Sequence, residues 1–365
     1  MASVKRRPSG VWRARYRDPS GTERARHFAR KVDAERFLAT VQTDMLRGSY
    51  VDPDDQTTVS EYARKWAASR PHGPRTALRV DSLLRNHIDA TPLGARRLAA
   101  VLPSEIQGWV SDRANALSPS TTRKLVSVLR SIYNAAVLDR LVGSSPVVKL
   151  ALPAGSKERI IPLTVEQVRQ LAAAMPVRFR ALVYVQAGLG LRVGELLALQ
   201  QGSVNFLGRS VRIERQVAPK TLELIDPKTP QSRRTIPLPT MVADILGAQI
   251  GAYPPGASGL LWHTRTGRPI DHDYYGGRVF PKAVKAAKLP PGTSSHDLRH
   301  HYASVLLAAG ESVIAVAERL GHGTANLVLS TYGHLVPGSE DRTRKAIDAA
   351  WSAENADSER TERSS

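Results

Sequence analysis

The stretch HDLRHHYASVLLAAG, residues 296–310, sets three histidines and an arginine at the opening of an otherwise apolar helix. A helix beginning at Ser294 or Ser295 places His296 and Arg299 three residues apart on one face, with His300 nearby, while Leu298, Tyr302, Val305 and Leu306 face elsewhere. A helix N-terminus already carries orphan N–H groups and partial positive charge. An imidazole and a guanidinium added there make an anion site, for which a phosphate is the natural occupant. The competing reading is a surface helix whose polar first turn only caps it, so the rest of the chain must decide.

Working outward, AGLGLRVGELLALQ (187–200) buries Arg192 in an apolar run and follows it three residues later with Glu195. A buried arginine needs partners, so either the two pair internally or Glu195 supports a guanidinium whose fork grips a phosphate. The glycines around it lack the strand-first G-x-G-x-x-G spacing of a dinucleotide site, and no nucleotide cofactor is expected. In DPKTPQSRRTIPL (226–238), Pro227 and Pro230 force a turn between two strands and put Lys228 on a hairpin, with Lys220 as its competitor. In AERLGHGTANLVLSTYGHL (317–335), Gly321 ends one helix, His322 lies in the connection, Thr324 can cap the next, and Tyr332 stands near its end.

The chain has 365 residues, enough for two or three domains, and 52 Lys+Arg against 33 Asp+Glu give a formal net charge of +19. Such a surplus attracts a polyanion and releases its counterions, which puts nucleic acid first among partners. No signal-peptide pattern or long apolar run interrupts the sequence, so the expectation is a soluble cytoplasmic protein. The absence of cysteine excludes disulfides, thiolate nucleophiles and Cys-containing zinc sites.

Residues 10–38 read as two short strands around Pro19-Ser20-Gly21, then an amphipathic helix carrying Ala34, Phe37, Leu38 and Val41. Alternation puts Trp12, Ala14 and Tyr16 on one strand face and Arg13, Arg15 and Arg17 on the other, a guanidinium row suited to a DNA groove. The polar, turn-rich GSYVDPDDQT (48–57) reads as a linker. Helical periodicity from Val59 to Leu150, with starts at a Ser104–Gln107 capping box and at Ser118-Pro119, predicts a bundle of about four helices. Its scattered basic residues, Arg123 and Lys124 among them, could together line a backbone-binding surface. A Pro- and Gly-containing stretch (143–164) puts a boundary near residue 157, followed by a capping box at Thr164–Gln167. The last module passes from helices through a strand-rich region (210–238) and back to helices until Trp351, and 352–365 reads as a disordered tail. The expected class is therefore an α+β multidomain protein: a small N-terminal sheet-plus-helix domain (1–50), a helical bundle (57–150), and a mainly α domain with a small antiparallel sheet (157–350).

The motifs GLGLRVGELLAL, PKTPQSRRTIPL, HDLRHHYAS and LGHGTANLVLSTYGHL, in this order and at these separations, resemble those of the tyrosine recombinase (phage integrase) family. The resemblance covers 155–350 by motif and extends more weakly to an arm-binding N-terminal domain and a helical core-binding domain. It implies that Arg192 and Arg299 hold the scissile phosphate, His296 and His322 are the two imidazole positions, Lys228 is the general acid and Tyr332 the nucleophile. Glu195 would support the arginine and His300 would be structural. It further implies a site-specific recombinase with a 3′-phosphotyrosine intermediate and neither metal nor cofactor. Double-stranded attachment-site DNA, a tetramer of this chain on synapsed duplexes, and DNA-bending and directionality proteins would be its partners. The helix near 339–351 would dock either on a neighbour or on its own domain. His296 could receive the tyrosine proton. The alternatives are a catalytically silent DNA-binding regulator of the same fold, a type IB topoisomerase, a chromosome-dimer resolvase, or a metal hydrolase built on His296, His300, His322 or His334.

Overall fold

The computed structural model describes residues 2–19, 21–48, 50–155, 160–227, 229–335, 343–345, 347–349 and 351. They form two compact units, 1–157 and 158–365.

The first unit opens with β1 (Ser3–Arg6), β2 (Trp12–Arg17) and β3 (Glu23–Phe28), an antiparallel sheet in that order. α1 (Lys31–Leu46) buries Ala34, Leu38 and Val41 against it, together with Ala14 and Tyr16. The register pairs Ala14 with Arg26 and Tyr16 with Arg24, whereas Arg13, Arg15 and Arg17 oppose His27, Ala25 and Glu23. Side chains alternate across a strand, so the three arginines share the face turned away from α1, joined there by Lys5 opposite Arg13. Sequence reading finds two strands here, not three. β1 is a short, mostly polar edge strand with no apolar alternation to betray it, and it forms because β2 offers it a free edge.

The stretch read as a linker is tied down at its start. Tyr50 is buried with its hydroxyl 3.2 Å from that of Tyr16, and Arg24 donates to Asp18 and Asp54, each at 3.2 Å, and to Asp52. The acidic run is held because an arginine-rich sheet lies beside it.

The bundle follows as α2 (Val59–Ala68), α3 (Pro74–Leu84), α4 (Pro103–Ala116) and α5 (Pro119–Leu138), with a π-helical turn at Arg85–Asp89 extending α3. Thr58 and Glu61 form a capping box on α2, and Ser118 caps α5 ahead of Pro119. The start of α4 differs from the expected Ser104–Gln107 box. Pro103, preorganised for the first helical position, moves the cap back to Leu102, whose N–H is taken by Glu105 at 2.8 Å. Leu125, Leu129, Ile132 and Tyr133 of α5 meet Tyr62, Trp66, Ile106 and Trp109 in one core.

In the second unit, Thr164 and Gln167 box the start of α6 (Val165–Ala174), and α7 (Arg180–Leu189) and α8 (Val193–Leu197) follow. A three-stranded sheet, β4 (Val204–Asn205), β5 (Ser210–Ile213) and β8 (Arg234–Pro237), flanks the two-stranded ribbon of β6 (Gln216–Val217) and β7 (Leu224–Ile225). Then come α9 (Thr240–Ala252), α10 (His272–Tyr274), α11 (Phe280–Ala286), α12 (Ser295–Ala308), α13 (Val313–Leu320) and α14 (Ala325–Tyr332). Residues 343–345, 347–349 and 351 are also helical, and the tail at 352–365 lies outside the described residues. A main core spans α6 to α12, and a smaller one joins Tyr302, Leu307, Val316, Leu320, Val328 and Tyr332. No described helix is long and apolar enough to cross a membrane.

Leu129 is fully buried. Leu129→Ala should cost the bundle about 2–5 kcal/mol, read as a lower denaturation midpoint by fluorescence of Trp66 and Trp109. An unchanged midpoint would mean that α5 does not organise this core.

Candidate active site

Arg299 of α12 is held on both terminal nitrogens of its guanidinium. It is 1% exposed and touches no carboxylate. Instead Nη1 donates to the Gly190 carbonyl at 2.6 Å, and Nη2 to the Leu320 carbonyl and to His322 Nε2, the latter at 2.9 Å. The two carbonyls belong to the C-terminal ends of α7 and α13, where helix dipoles place partial negative charge. Both helices end on a left-handed glycine, Gly190 at φ 63° and Gly321 at φ 64°. A Cβ at Gly190 would come 2.3 Å from the Tyr302 ring, so no other residue fits that position.

Arg192 is aimed from the N-terminus of α8. Its Nη1 meets Glu195 Oε1 at 2.9 Å, its backbone N–H meets Oε2 at 3.0 Å, and its Nη2 donates to the Gly321 carbonyl at 3.1 Å. Its side chain stays 39% exposed, leaving the outer edge of the guanidinium free to meet a ligand. Glu195, buried, is held below the usual carboxylate range because two arginine partners outweigh desolvation.

The second of those partners is Arg234 of β8, a residue that sequence reading passed over. It donates to Glu195 Oε2 at 2.8 Å and Oε1 at 3.2 Å, and to the Arg319 carbonyl at 2.7 Å. One side chain thus fastens the strand that follows Lys228, the carboxylate beneath Arg192 and the end of the helix leading to His322. The available signal was strand alternation, which puts Arg234 on the same face as buried Ile236 while Arg233 points out.

The three consecutive-looking histidines divide their work. Ser294 caps α12, with Asp297 closing the box onto the Ser294 N–H at 2.7 Å. His301 turns inward to the Leu163 carbonyl at 2.7 Å. His296 and His300, one turn apart, stack edge to face at 4.6 Å between ring centroids, and His300 Nδ1 lies 2.6 Å from the Tyr332 hydroxyl. His300, expected to be merely structural, therefore touches the expected nucleophile. His296, expected to receive the tyrosine proton, instead lines a cleft with Gln186, Val193, Ser294 and Ser295.

Electrostatics keep these imidazoles neutral. Burial, then Arg299 and Arg192, push His322 down to about 4. His296, at the exposed mouth of the cleft, is lowered by partial desolvation, then by His300 and Arg299. His300 is lowered by burial foremost. Burial raises Tyr332 to about 12, so its proton must be taken by a neighbour. Because Arg299 donates to His322 Nε2, the His322 proton resides on Nδ1, and that nitrogen is buried with no partner among the described residues.

Lys228, between β7 and β8, lies outside the described residues; Lys220 is exposed, at φ 73° in the β6–β7 turn. Arg15 pairs with Glu23 at 3.2 Å, Arg123 donates to the Pro153 carbonyl at 2.8 Å, and Lys124 is exposed. Among the described residues no group of three or more His, Cys, Asp or Glu side chains is placed to hold a metal ion.

The chain as a whole has known relatives. Residues 162–338 match the phage integrase family and residues 2–47 the phage integrase N-terminal domain. The putative prophage phiRv2 integrase of Mycobacterium tuberculosis is 29% identical over 345 residues, covering 91% of each chain, and the integrase of Mycobacterium phage D29 is 25% identical over 366 residues, covering 95% of this chain and 96% of that one. In fold, the Tn1549 transposon integrase in complex with a circular intermediate DNA superposes with a TM-score of 0.71 at 22% identity, over 80% of this chain and 99% of that one. A lambda integrase tetramer bound to a Holliday junction matches with a TM-score of 0.59 at 18% identity, over 89% and 94%. The chain belongs to the phage integrase family of tyrosine recombinases. It is accordingly a site-specific DNA recombinase of the integrase type.

Arg234→Ala would strand Glu195 on one exposed partner and release β8. We expect a loss of about 3–5 kcal/mol, as for a broken buried pair, and a comparable loss from Arg234→Lys, which cannot reproduce the two-oxygen contact. Thermal denaturation checks this; a Lys variant as stable as wild type would show that only charge matters.

Proposed function

We propose that Arg192, Arg299 and His322 hold the scissile phosphate of an attachment site, that Tyr332 attacks it, and that no metal takes part. The observation that carries this reading is the His322 Nδ1–H, without a partner among the described residues, beside Arg299, which touches no carboxylate, and Arg192, whose carboxylate partner Glu195 is already shared with Arg234. Such a pocket has donors to spare and lacks an anion.

As the Tyr332 oxygen bonds to phosphorus, negative charge grows on the nonbridging oxygens, where preorganised guanidinium and imidazole donors stabilise it most. The bond to the 5′ oxygen breaks, leaving a 3′-phosphotyrosine and a 5′-hydroxyl. Lys228 is our choice for donating the leaving-group proton; a lysine brought beside two arginines would be driven to give its proton up. The new ester retains the energy of the old one, so attack by a partner strand's 5′-hydroxyl restores the duplex without a nucleotide cofactor. Retention of Tyr332 with both arginines favours this over a silent DNA-binding regulator.

In the same reading, the arginine face of β2 contacts arm-type sites, the bundle at 57–150 binds the core site, and four copies act on two duplexes assisted by DNA-bending and directionality proteins. Ile347 and Trp351 in the last described helix are exposed, which leaves an apolar surface for packing against a neighbouring copy.

A nicked suicide duplex carrying the attachment core, incubated with protein and excess chelator, should yield a denaturation-resistant adduct with wild type and none with Tyr332→Phe. An adduct from Tyr332→Phe would move the nucleophile elsewhere, and its loss in chelator alone would bring a metal back. Replacing Arg13, Arg15 and Arg17 by Ala should weaken arm-site binding and flatten the log K against log salt plot by about 0.9 for each lost phosphate contact. An unchanged slope would take that face off the DNA.

A further inference from the structure

Taking Tyr332 as the nucleophile, an inference that rests on the reading above, we propose that His300 is a further catalytic residue and that it, not His296, accepts the tyrosine proton. His300 Nδ1 lies 2.6 Å from the Tyr332 oxygen, within direct transfer distance, and the two rings stand 5.4 Å apart at 62°. His296 makes no hydrogen bond to Tyr332; its contact is with the His300 ring, and it faces the cleft that Ser294 and Ser295 line. The placement follows from the helix. Residue 300 adjoins Arg299, so the group that positions phosphate and the group that touches the nucleophile are fixed by one turn of α12.

The step balances. In the tautomer with its proton on Nε2, His300 accepts the hydroxyl hydrogen bond through the Nδ1 lone pair. The Tyr332 proton passes to Nδ1 as the oxygen bonds to phosphorus and the bond to the 5′ oxygen breaks, and that oxygen leaves as the 5′-hydroxyl with the proton of the general acid. In rejoining, the incoming 5′-hydroxyl gives its proton back to the general acid as it attacks phosphorus, and the leaving tyrosine oxygen takes back its proton from His300.

The groups acting on His300 support a neutral acceptor. Asp297 of its own helix raises its proton affinity, while burial, the largest effect, and Arg299 lower it. Among the elements packed on α12, α14 supplies Tyr332. α7 carries Tyr184 and Arg180, the latter engaged by the Met175 carbonyl, and α13 carries Glu318 and Arg319, which reaches the Thr235 carbonyl. The turn after Tyr332 carries His334, held by the Ile160 carbonyl at 3.0 Å. None of these four elements places a carboxylate on the His300 ring, so only Asp297 of its own helix opposes the loss of proton affinity that burial causes.

The test is single-turnover cleavage of the nicked duplex by the full-length protein across pH. Wild type should be flat at neutral pH and above, falling only below the usual histidine range, where the imidazole becomes protonated. His300→Ala should cleave about 10²–10⁴-fold more slowly, its rate still rising toward high pH as solution hydroxide replaces the lost base, and added imidazole should restore part of the rate. His300→Gln, which keeps a hydrogen-bond acceptor but cannot take a proton at neutral pH, should resemble His300→Ala. DNA binding by each variant confirms that it is folded. Wild-type rates from His300→Gln would reduce the residue to positioning and overturn the proposal. Faster cleavage by His300→Ala would do so too, by making the contact a restraint. Either result, with Tyr332→Phe still inert, leaves the nucleophile assignment standing; an adduct from Tyr332→Phe would sink that assignment instead.

Discussion

A guanidinium buried without a carboxylate is the constraint around which the second unit is built. Arg299 carries its charge in an almost fully enclosed place, near a second arginine that makes protonation costlier. Partial charges at two helix ends hold it there, through the Gly190 and Leu320 carbonyls. Carbonyls orient a cation without cancelling it, which a carboxylate would do. The site therefore keeps unneutralised positive charge aimed at one spot, and the two left-handed glycines exist to bring those helix ends close enough.

Glu195 provides the counterbalance on the other flank. Bound by both Arg192 and Arg234, it offsets part of the repulsion among the three guanidiniums while leaving Arg192 partly open to solvent. Because Arg234 also reaches the Arg319 carbonyl, β8, α8 and α13 converge on a single carboxylate. His322 closes the arrangement: its link to Arg299 dictates which nitrogen carries the proton, and that proton is buried without a partner among the described residues. The neutral imidazoles and the protonated Tyr332 follow from the same burial, which opposes added charge unless, like an incoming anion, it complements the guanidiniums.

Much of this was legible before any coordinates. The helix end at Gly321, the Ser294 start, the Thr164 and Ser118 caps and the arginine face of β2 are local signals, written in residues that have few conformational alternatives. What sequence could not supply were relations across long separations. Arg234 reads as a solvated strand residue until Glu195, 39 positions away, is brought to it. His300 reads as a capping-turn histidine until α14 returns Tyr332 to its ring, 32 positions on. The edge strand β1 and the pinned start of the linker escaped for the same reason: each is stabilised by a neighbour, Ala14 of β2 for Val4 and Arg24 for Asp52, rather than by its own pattern.

The central claim is that the two arginines and His322 form a preorganised phosphate cradle. A crystal structure of the full chain bound to a nicked attachment core tests it most directly. It should place the scissile phosphate within hydrogen-bond distance of Arg192, Arg299 and His322 Nδ1, with Arg299 still on the Gly190 and Leu320 carbonyls. A phosphate seated away from His322, or an Arg299 that leaves those carbonyls to reach it, would contradict the account.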